Sequence, residues 1–207
     1  MDDYREGIAH IAKSDRKLAD VIARIGPCKL SLRTGSVFES LVRAIAHQQL
    51  TGKAANTILR RLEETLGTAG SLAPEAVLKA DIDVLRRAGF SLAKASYIRE
   101  VARATASGAI PTKAAMQQMP DEEIIERLTA VKGIGRWSAE MFLIFDLGRL
   151  NVLPLGDYGV RKGFAIAYGM KALPRPRTIV RMAKHWHPYR TLACWYLWRV
   201  VDMKPVG

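Results

Sequence analysis

Apolar residues recur at helical spacing along almost the whole chain, and this periodicity is the feature that most restricts its fold. No convincing alternation of Val, Ile and Thr, the pattern typical of strands, occurs between the turn signals. The clearest helix start is at Ser36, which forms a capping-box pattern with Glu39. An apolar stripe follows, composed of Phe38, Leu41, Val42 and Ile45. The pattern predicts an all-α protein.

Start and stop signals divide the remaining sequence into further helices. After a helix at about 37–48, the predicted helices span 52–67, 81–89, 91–108, 120–130, 136–148, 158–169, 177–186 and 189–201. No repeat, low-complexity tract or flexible linker interrupts them. We therefore expect one domain over residues 1–207, a helical bundle of two lobes. The lobes are predicted at about 36–125 and at 1–35 plus 126–207, with a cleft where they meet.

The net charge of +12 is distributed unevenly. Residues 127–207 hold 14 Lys/Arg against 4 Asp/Glu, whereas residues 1–126 hold 18 against 16. A one-sided surplus of this kind suits a polyanion such as nucleic acid, because binding releases counterions and long-range attraction guides the encounter. A basic surface kept only for solubility is the alternative.

Cysteine content and hydropathy indicate the setting in which the protein works. Cys28 and Cys194 are far apart and belong to no CxxC or Cys/His cluster, so neither a disulfide framework nor a zinc site is indicated. No run approaches the roughly 20 apolar residues of a membrane span. We expect an intracellular monomer with no membrane partner, found in the cytoplasm and nucleoid if the source is prokaryotic.

A glycine pair interrupts two helical stretches at VKGIGRW, residues 131–137. Glycine permits positive φ and a close backbone approach, so the chain can reverse there and expose the N–H groups that begin the next helix. Such a helix start attracts anions, and the neighbouring cations add positive charge. An ordinary glycine-rich connection is the alternative. We predict phosphate binding by Lys132, Gly133, Gly135, Arg136 and Ser138.

The hairpin belongs to a longer pattern. It lies within LTAVKGIGRWSAE (128–140), which VLPLGDYGVRKGF (152–164) follows. FESLVRAIAHQQLTGKAA (38–55) precedes these segments and HPYRTLACWYLW (187–198) comes after them. In order and approximate spacing, the segments resemble the helix-hairpin-helix superfamily of base-excision DNA glycosylases, most closely its alkylpurine branch, the 3-methyladenine DNA glycosylase II-like enzymes. The resemblance implies an active site in the interlobe cleft and, as partner, double-stranded DNA containing damaged bases.

Asp157 matches the catalytic aspartate of that family. A carboxylate beside the sugar stabilises the positive charge that develops as the glycosidic bond breaks, or helps to deprotonate the attacking water. From the sequence alone, Asp157 is also a helix N-cap, and both roles can hold at once. Its rivals Glu140 and Asp146 lie inside a predicted helix, where we expect them to pair with Arg or Lys.

Trp137 indicates which reaction to expect. Family members that also cut the DNA backbone place there a lysine that forms a Schiff base. The resemblance therefore implies a monofunctional glycosylase that flips out alkylated purines, such as 3-methyladenine or 7-methylguanine, and hydrolyses the N-glycosidic bond without AP lyase activity. A bifunctional lyase lacks its lysine here. A non-catalytic helix-hairpin-helix DNA-binding module is the other alternative.

The resemblance also assigns side chains to the flipped base and to the gap it leaves. Gln49, with Leu50 as the neighbouring candidate, matches the wedge that enters the gap, although His47, Gln48 and Gln49 could be a plain polar helix end. The base pocket is assigned to Trp137, Trp198 and Met141, and Met141 departs from an aromatic found in some members. An indole face favours a cationic purine through a cation–π interaction. As an alternative, Trp186, Trp195 and Trp198 are core residues.

No cofactor is expected. The four-cysteine iron–sulfur loop of several relatives is missing from a chain with two cysteines. In the family, backbone carbonyls of the hairpin can hold a monovalent cation that helps to seat a phosphate. The resemblance assigns this role to Thr129, Val131 and Ile134.

Overall fold

A computed structural model describes residues 3–50, 52–68 and 71–203. Within these ranges the chain is helical, with a single isolated β-bridge between Thr68 and Ser71. The all-α prediction is confirmed. None of the described helices is both long enough and apolar enough to span a membrane.

The helices in chain order are α1 (Asp3–Ser14), α2 (Arg16–Ile25), α3 (Val37–His47), α4 (Gly52–Leu66), α5 (Pro74–Lys79), α6 (Ile82–Ala88), α7 (Leu92–Ala106), α8 (Lys113–Gln117), α9 (Asp121–Thr129), α10 (Arg136–Phe145), α11 (Tyr158–Ala167), α12 (Pro176–Met182) and α13 (Arg190–Asp202). A 3₁₀ turn at Ala183–Trp186 follows α12. Helices α1, α2, α5 and α8 were not predicted from the sequence. Two of these, α5 and α8, are too short to show a helical period.

The described residues form two compact units. The central unit is Arg33–Leu147, and the terminal unit combines Met1–Leu32 with Gly148–Gly207. The lobe boundary predicted near residue 126 thus differs from the boundary after residue 147. The physical reason is packing, because α10 lies against α3 and α9 within the central unit.

Helix α3 forms the core of the central unit and packs against α4, α7 and α10. All four residues of its predicted apolar stripe are buried. The predicted capping box is present: Ser36 donates its backbone N–H to Glu39 over 2.7 Å, and Glu39 donates its own to the Ser36 hydroxyl over 3.2 Å. Glu39 also accepts the backbone N–H of Leu72 over 2.9 Å, so one carboxylate ties the start of α3 to the segment before α5.

Helix α13 holds the corresponding place in the terminal unit, where it packs against α1, α2 and α11. Trp186 is fully buried beside it, as the core interpretation of this residue expects. A single carboxylate, that of Asp15, connects the start of α2 to Trp186 and to Tyr168, the residue that follows α11. It caps α2 by accepting the backbone N–H groups of Lys17 and Leu18, and it also accepts the Trp186 indole N–H over 3.0 Å and the Tyr168 hydroxyl.

Replacing Asp15 with Ala should lower the free energy of unfolding by about 2–4 kcal/mol. Loss of a helix cap costs about 1 kcal/mol, and the buried Trp186 N–H would lose its acceptor. Chemical denaturation measures the difference. Asp20, exposed on the same helix, supplies the matched control, because its replacement with Ala should change stability by no more than about 0.5 kcal/mol. Equal losses in the two variants would contradict the role of Asp15.

Candidate functional site

Asp157 lies at the start of α11 in the terminal unit and is buried, with 9% of its surface exposed. Its Oδ1 atom accepts two hydrogen bonds, from the Val160 backbone N–H over 2.7 Å and from the Trp198 indole N–H over 2.8 Å. The first bond makes Asp157 the N-cap of α11, which is the simpler of its two predicted roles. The second bond places an indole directly against the carboxylate. Two N–H donors on one oxygen suit a carboxylate that carries a negative charge.

The contact between Trp198 and Asp157 depends on a glycine. A Cβ atom added at Gly159 would lie 2.8 Å from Cδ1 of Trp198 and 3.1 Å from Oδ1 of Asp157. Distances this short would displace the indole or the carboxylate. Glycine at 159 therefore permits the indole on α13 to reach the first turn of α11.

A second glycine one helical turn later sets the spacing of the two helices. A Cβ atom at Gly163 would overlap the backbone carbonyl oxygen of Leu197, which cannot move aside as a side chain can. Glycines at 159 and 163 lie four residues apart, so they occupy the same face of α11. Neither glycine was among the predicted site residues, although the stretch YGVRKG (158–163) contains both at this spacing.

Thr191, at the other end of α13, holds the loop that leads to Asp157. Its hydroxyl donates to the Arg149 carbonyl over 2.6 Å and accepts the Val152 backbone N–H over 3.0 Å. Its backbone N–H donates to the Leu150 carbonyl over 2.9 Å. Because Thr191 and Trp198 are seven residues apart, one face of α13 fixes both the loop and the carboxylate. Nothing in the sequence pattern distinguished this threonine.

The hairpin in the central unit joins α9 to α10, and its two glycines differ. Gly133 has φ of 98°, in the region that favours glycine, and a Cβ atom there would overlap the Tyr97 side chain. Gly135 has φ of −96°, so it does not adopt the positive φ that glycine permits. Gly135 is the N-cap of α10, and the space where its Cβ would project is open. An external group can therefore approach the backbone closely there.

Arg136 is engaged within the protein, in contrast to its predicted phosphate contact. It donates to both carboxylate oxygens of Glu122 over 2.6 and 3.0 Å, and to Glu140 over 3.1 Å. The hydrogen bond from Arg136 lowers the pKa of Glu122, and the same bond raises the pKa of Arg136. Since Glu122 lies on α9 and Glu140 on α10, this cluster braces the hairpin. The geometry argues against a free guanidinium for phosphate.

The other predicted hairpin residues have different surroundings. Lys132 is exposed, as a phosphate contact requires, whereas Ser138 is only 2% exposed on the inner face of α10. Burial argues against phosphate binding by the Ser138 side chain. In the segment assigned to a cation, the Val131 carbonyl accepts the Ile134 N–H over 3.1 Å. Ile134 is buried and Thr129 is exposed.

The predicted wedge residues lie in the turn between α3 and α4. Gln49 and Leu50 are both exposed, and Gln49 has φ of 57°. His47 and Gln48 are half-buried and hold the turn: His47 is hydrogen-bonded to Asn56, and the Gln48 side-chain amide donates to the Gly133 carbonyl over 3.0 Å. His47 and Gln48 thus support the turn, whereas Gln49 and Leu50 are exposed on it.

Two predicted pocket residues share one face of α10. Trp137 is half-buried in its first turn, and Met141, four residues later, is 7% exposed.

The two acids considered as alternatives to Asp157 are paired with arginines, as expected. Glu140 pairs with Arg136, and Asp146 pairs with Arg33 over 3.4 Å. Burial raises the pKa of Asp146, which also accepts the Ser40 hydroxyl.

Replacing Gly163 with Ala should lower the free energy of unfolding by about 3 kcal/mol, because the added methyl group forces α11 away from the α13 backbone. Thermal or chemical unfolding measures the loss. The control is Gly52→Ala at the start of α4, where the added atom meets open space and stability should be unchanged or higher by up to about 1 kcal/mol. A Gly163→Ala variant as stable as the control would show that α11 and α13 have room to separate.

The relatives and solved structures that match this chain cover most of its length. The chain is 37% identical over 195 residues to the DNA-3-methyladenine glycosylase 1 of Schizosaccharomyces pombe, covering 92% of this chain and 85% of that protein. A solved Schizosaccharomyces pombe 3-methyladenine DNA glycosylase in complex with abasic DNA superimposes with a TM-score of 0.90 and 34% identity, over 98% of this chain and 99% of that one. A DNA-3-methyladenine glycosidase structure from Bacillus halodurans gives a TM-score of 0.82 and 38% identity, over 94% and 88%.

The family assignment rests on a continuous match that contains the turn between α3 and α4, the hairpin and Asp157. Residues 42–188 match the model of the HhH-GPD superfamily base excision DNA repair proteins. This span exceeds half of the chain and agrees with the resemblance identified in the sequence. The chain therefore belongs to the HhH-GPD superfamily of base excision DNA repair proteins.

Proposed function

We propose that this protein is a monofunctional DNA glycosylase that removes alkylated purines, such as 3-methyladenine and 7-methylguanine, from double-stranded DNA by hydrolysis. The observation that carries the proposal is the buried Asp157 carboxylate, held by the Val160 N–H and by the Trp198 indole. The names of the similar proteins, which are 3-methyladenine glycosylases, support the same activity. We expect a monomer that works on DNA inside the cell and needs no cofactor.

In the proposed reaction, the bond between the sugar C1′ atom and the purine nitrogen breaks and its electron pair leaves with the base. The sugar becomes cationic, and the fixed negative charge of Asp157 stabilises it. A water molecule then attacks C1′ and transfers a proton to Asp157 or to solvent. An alkylated purine leaves readily because it is already cationic, so the protein needs to add little hydrogen-bond recognition of the base.

The hairpin is proposed to bind a phosphate of one DNA strand. The open space at Gly135 lets a phosphate approach the N-terminus of α10, and exposed Lys132 adds positive charge. A monovalent cation held by the carbonyls of Thr129, Val131 and Ile134 would supply further charge to the same phosphate. Arg136 acts in this proposal as a brace for the hairpin, through Glu122 and Glu140.

The extruded base is proposed to contact Trp137 and Trp198, with Met141 beside Trp137. An electron-rich indole face attracts a cationic purine by roughly 0.5–2 kcal/mol. Gln49, or its neighbour Leu50, fills the gap in the stack. Trp137 has no amine, so the chain cannot form a Schiff base at this position, and we expect no lyase step.

Replacing Asp157 with Asn should abolish release of 3-methyladenine from a duplex, with a loss of at least about 100-fold in single-turnover rate. The amide oxygen can still accept from Val160 and Trp198, so the cap and the fold should persist. Binding to DNA with an abasic site should change little. Asp202→Asn, an exposed acid near the end of α13, is the charge-matched control and should retain full activity.

The same measurements separate the alternatives. Unchanged base release by Asp157→Asn would overturn the assigned chemistry. A wild-type protein that binds abasic DNA but releases no base from a panel of duplexes, each with one defined lesion, would indicate a non-catalytic DNA-binding module.

Sodium borohydride should trap no covalent complex between the wild-type protein and lesion-containing DNA, because a Schiff base requires an amine where Trp137 stands. A bifunctional glycosylase treated in parallel provides the positive control. Denaturing gel electrophoresis would show a trapped species as a band of reduced mobility. Such a band with this protein would contradict the monofunctional assignment.

A further inference from the structure

The turn after α3, residues 48–50, carries the proposed wedge and is called the wedge turn here. Its backbone is unusual. Gln49 is the one non-glycine residue with positive φ among residues 3–50, 52–68 and 71–203, at 57°. Side chains other than glycine enter this region at an energetic cost, so neighbouring contacts must hold them there. Those contacts identify what fixes the direction in which Gln49 projects.

Lys94, in the first turn of α7, supplies the closest of these contacts. Its Nζ atom donates to the Ala46 carbonyl over 3.0 Å and to the Gln48 carbonyl over 2.6 Å. Both acceptors belong to the C-terminal end of α3, where carbonyl groups lack helical partners and a positive charge is favourable. The ammonium group thus holds the backbone on the residue immediately before Gln49.

A second set of contacts joins the same turn to the hairpin. The Gln48 side-chain amide donates to the Gly133 carbonyl over 3.0 Å. Gly133 in turn lies against Tyr97, so closely that a Cβ atom would overlap the tyrosine. Tyr97 follows Lys94 by three residues, and both therefore lie on one face of α7. One short stretch of α7 supports the wedge turn with Lys94 and the hairpin with Tyr97.

We propose that Lys94 is a positioning residue for base extrusion, which sets the wedge turn at a fixed distance from the phosphate-binding hairpin. The inference rests on the proposed glycosylase function and adds a residue to it. A strand held at the hairpin then presents one defined base step to Gln49. Lys94 acts through the Gln48 carbonyl and does not contact the reacting atoms, so its loss slows extrusion and leaves the cleavage step intact.

The test compares two duplexes carrying the same alkylated purine, one correctly paired and one opposite a mismatched base that leaves the lesion largely unstacked. Extrusion is costly from the paired duplex and cheap from the mismatched one. Lys94→Met should lower the single-turnover rate on the paired duplex about 10-fold and that on the mismatched duplex by less than about 3-fold. Lys94→Arg, which restores donors to the two carbonyls, should recover most of the loss.

Two further variants make the result decisive. Lys79→Met removes one exposed charge on α5 and should behave as wild type on both duplexes. Gln48→Leu removes the link to Gly133 and should reproduce the selective loss, which provides a second route if Lys94→Met does not fold. Equal losses on the two duplexes, or rates equal to those of Lys79→Met, would overturn the inference. Absence of base release by the wild-type protein would instead refute the proposed function.

Discussion

A hydrogen bond between an indole and a carboxylate organises the terminal unit. Trp198 can reach Asp157 only because α11 carries glycines where α13 crosses it, and the loop before Asp157 keeps its path because Thr191 binds it from the same face of α13. The carboxylate that the proposed chemistry needs is therefore also part of the packing. Capping α11 and holding Trp198 are structural tasks, and both favour a carboxylate that stays buried and oriented.

The two units carry different parts of the proposed activity. The terminal unit contains Asp157 and Trp198, whereas the central unit contains the hairpin, the wedge turn and Trp137. Within the central unit, Gln48 and α7 connect the hairpin to the wedge turn, so direct contacts hold together the groups proposed to bind and to enter the duplex. Elements that must act on the same nucleotide gain from such rigidity, because a small misplacement of a reacting group is costly.

Much of the fold was predictable because the signals were local. The helical period, the Ser36 and Glu39 capping box and the N-cap role of Asp157 all depend on residues within one or two turns, and each is confirmed. The family was also identifiable, since its motifs are continuous in sequence. The contacts of Thr191, Gly163 and Lys94 were not predictable, because each depends on which helix lies opposite, and a single sequence carries no record of that.

Not every positive charge at the hairpin is available to a phosphate. Its sequence presents two cations beside the glycines, yet Arg136 is already paired with two glutamates, and the open approach is along the backbone at Gly135. A phosphate bound mainly by neutral peptide N–H groups releases few of the cations condensed on the DNA, whereas each Lys or Arg that neutralises a phosphate releases such cations and so contributes to the steep dependence of affinity on ionic strength. If the proposed phosphate contact is made through the backbone at Gly135, it should depend little on salt concentration, while the contribution of exposed Lys132 should decrease as salt rises.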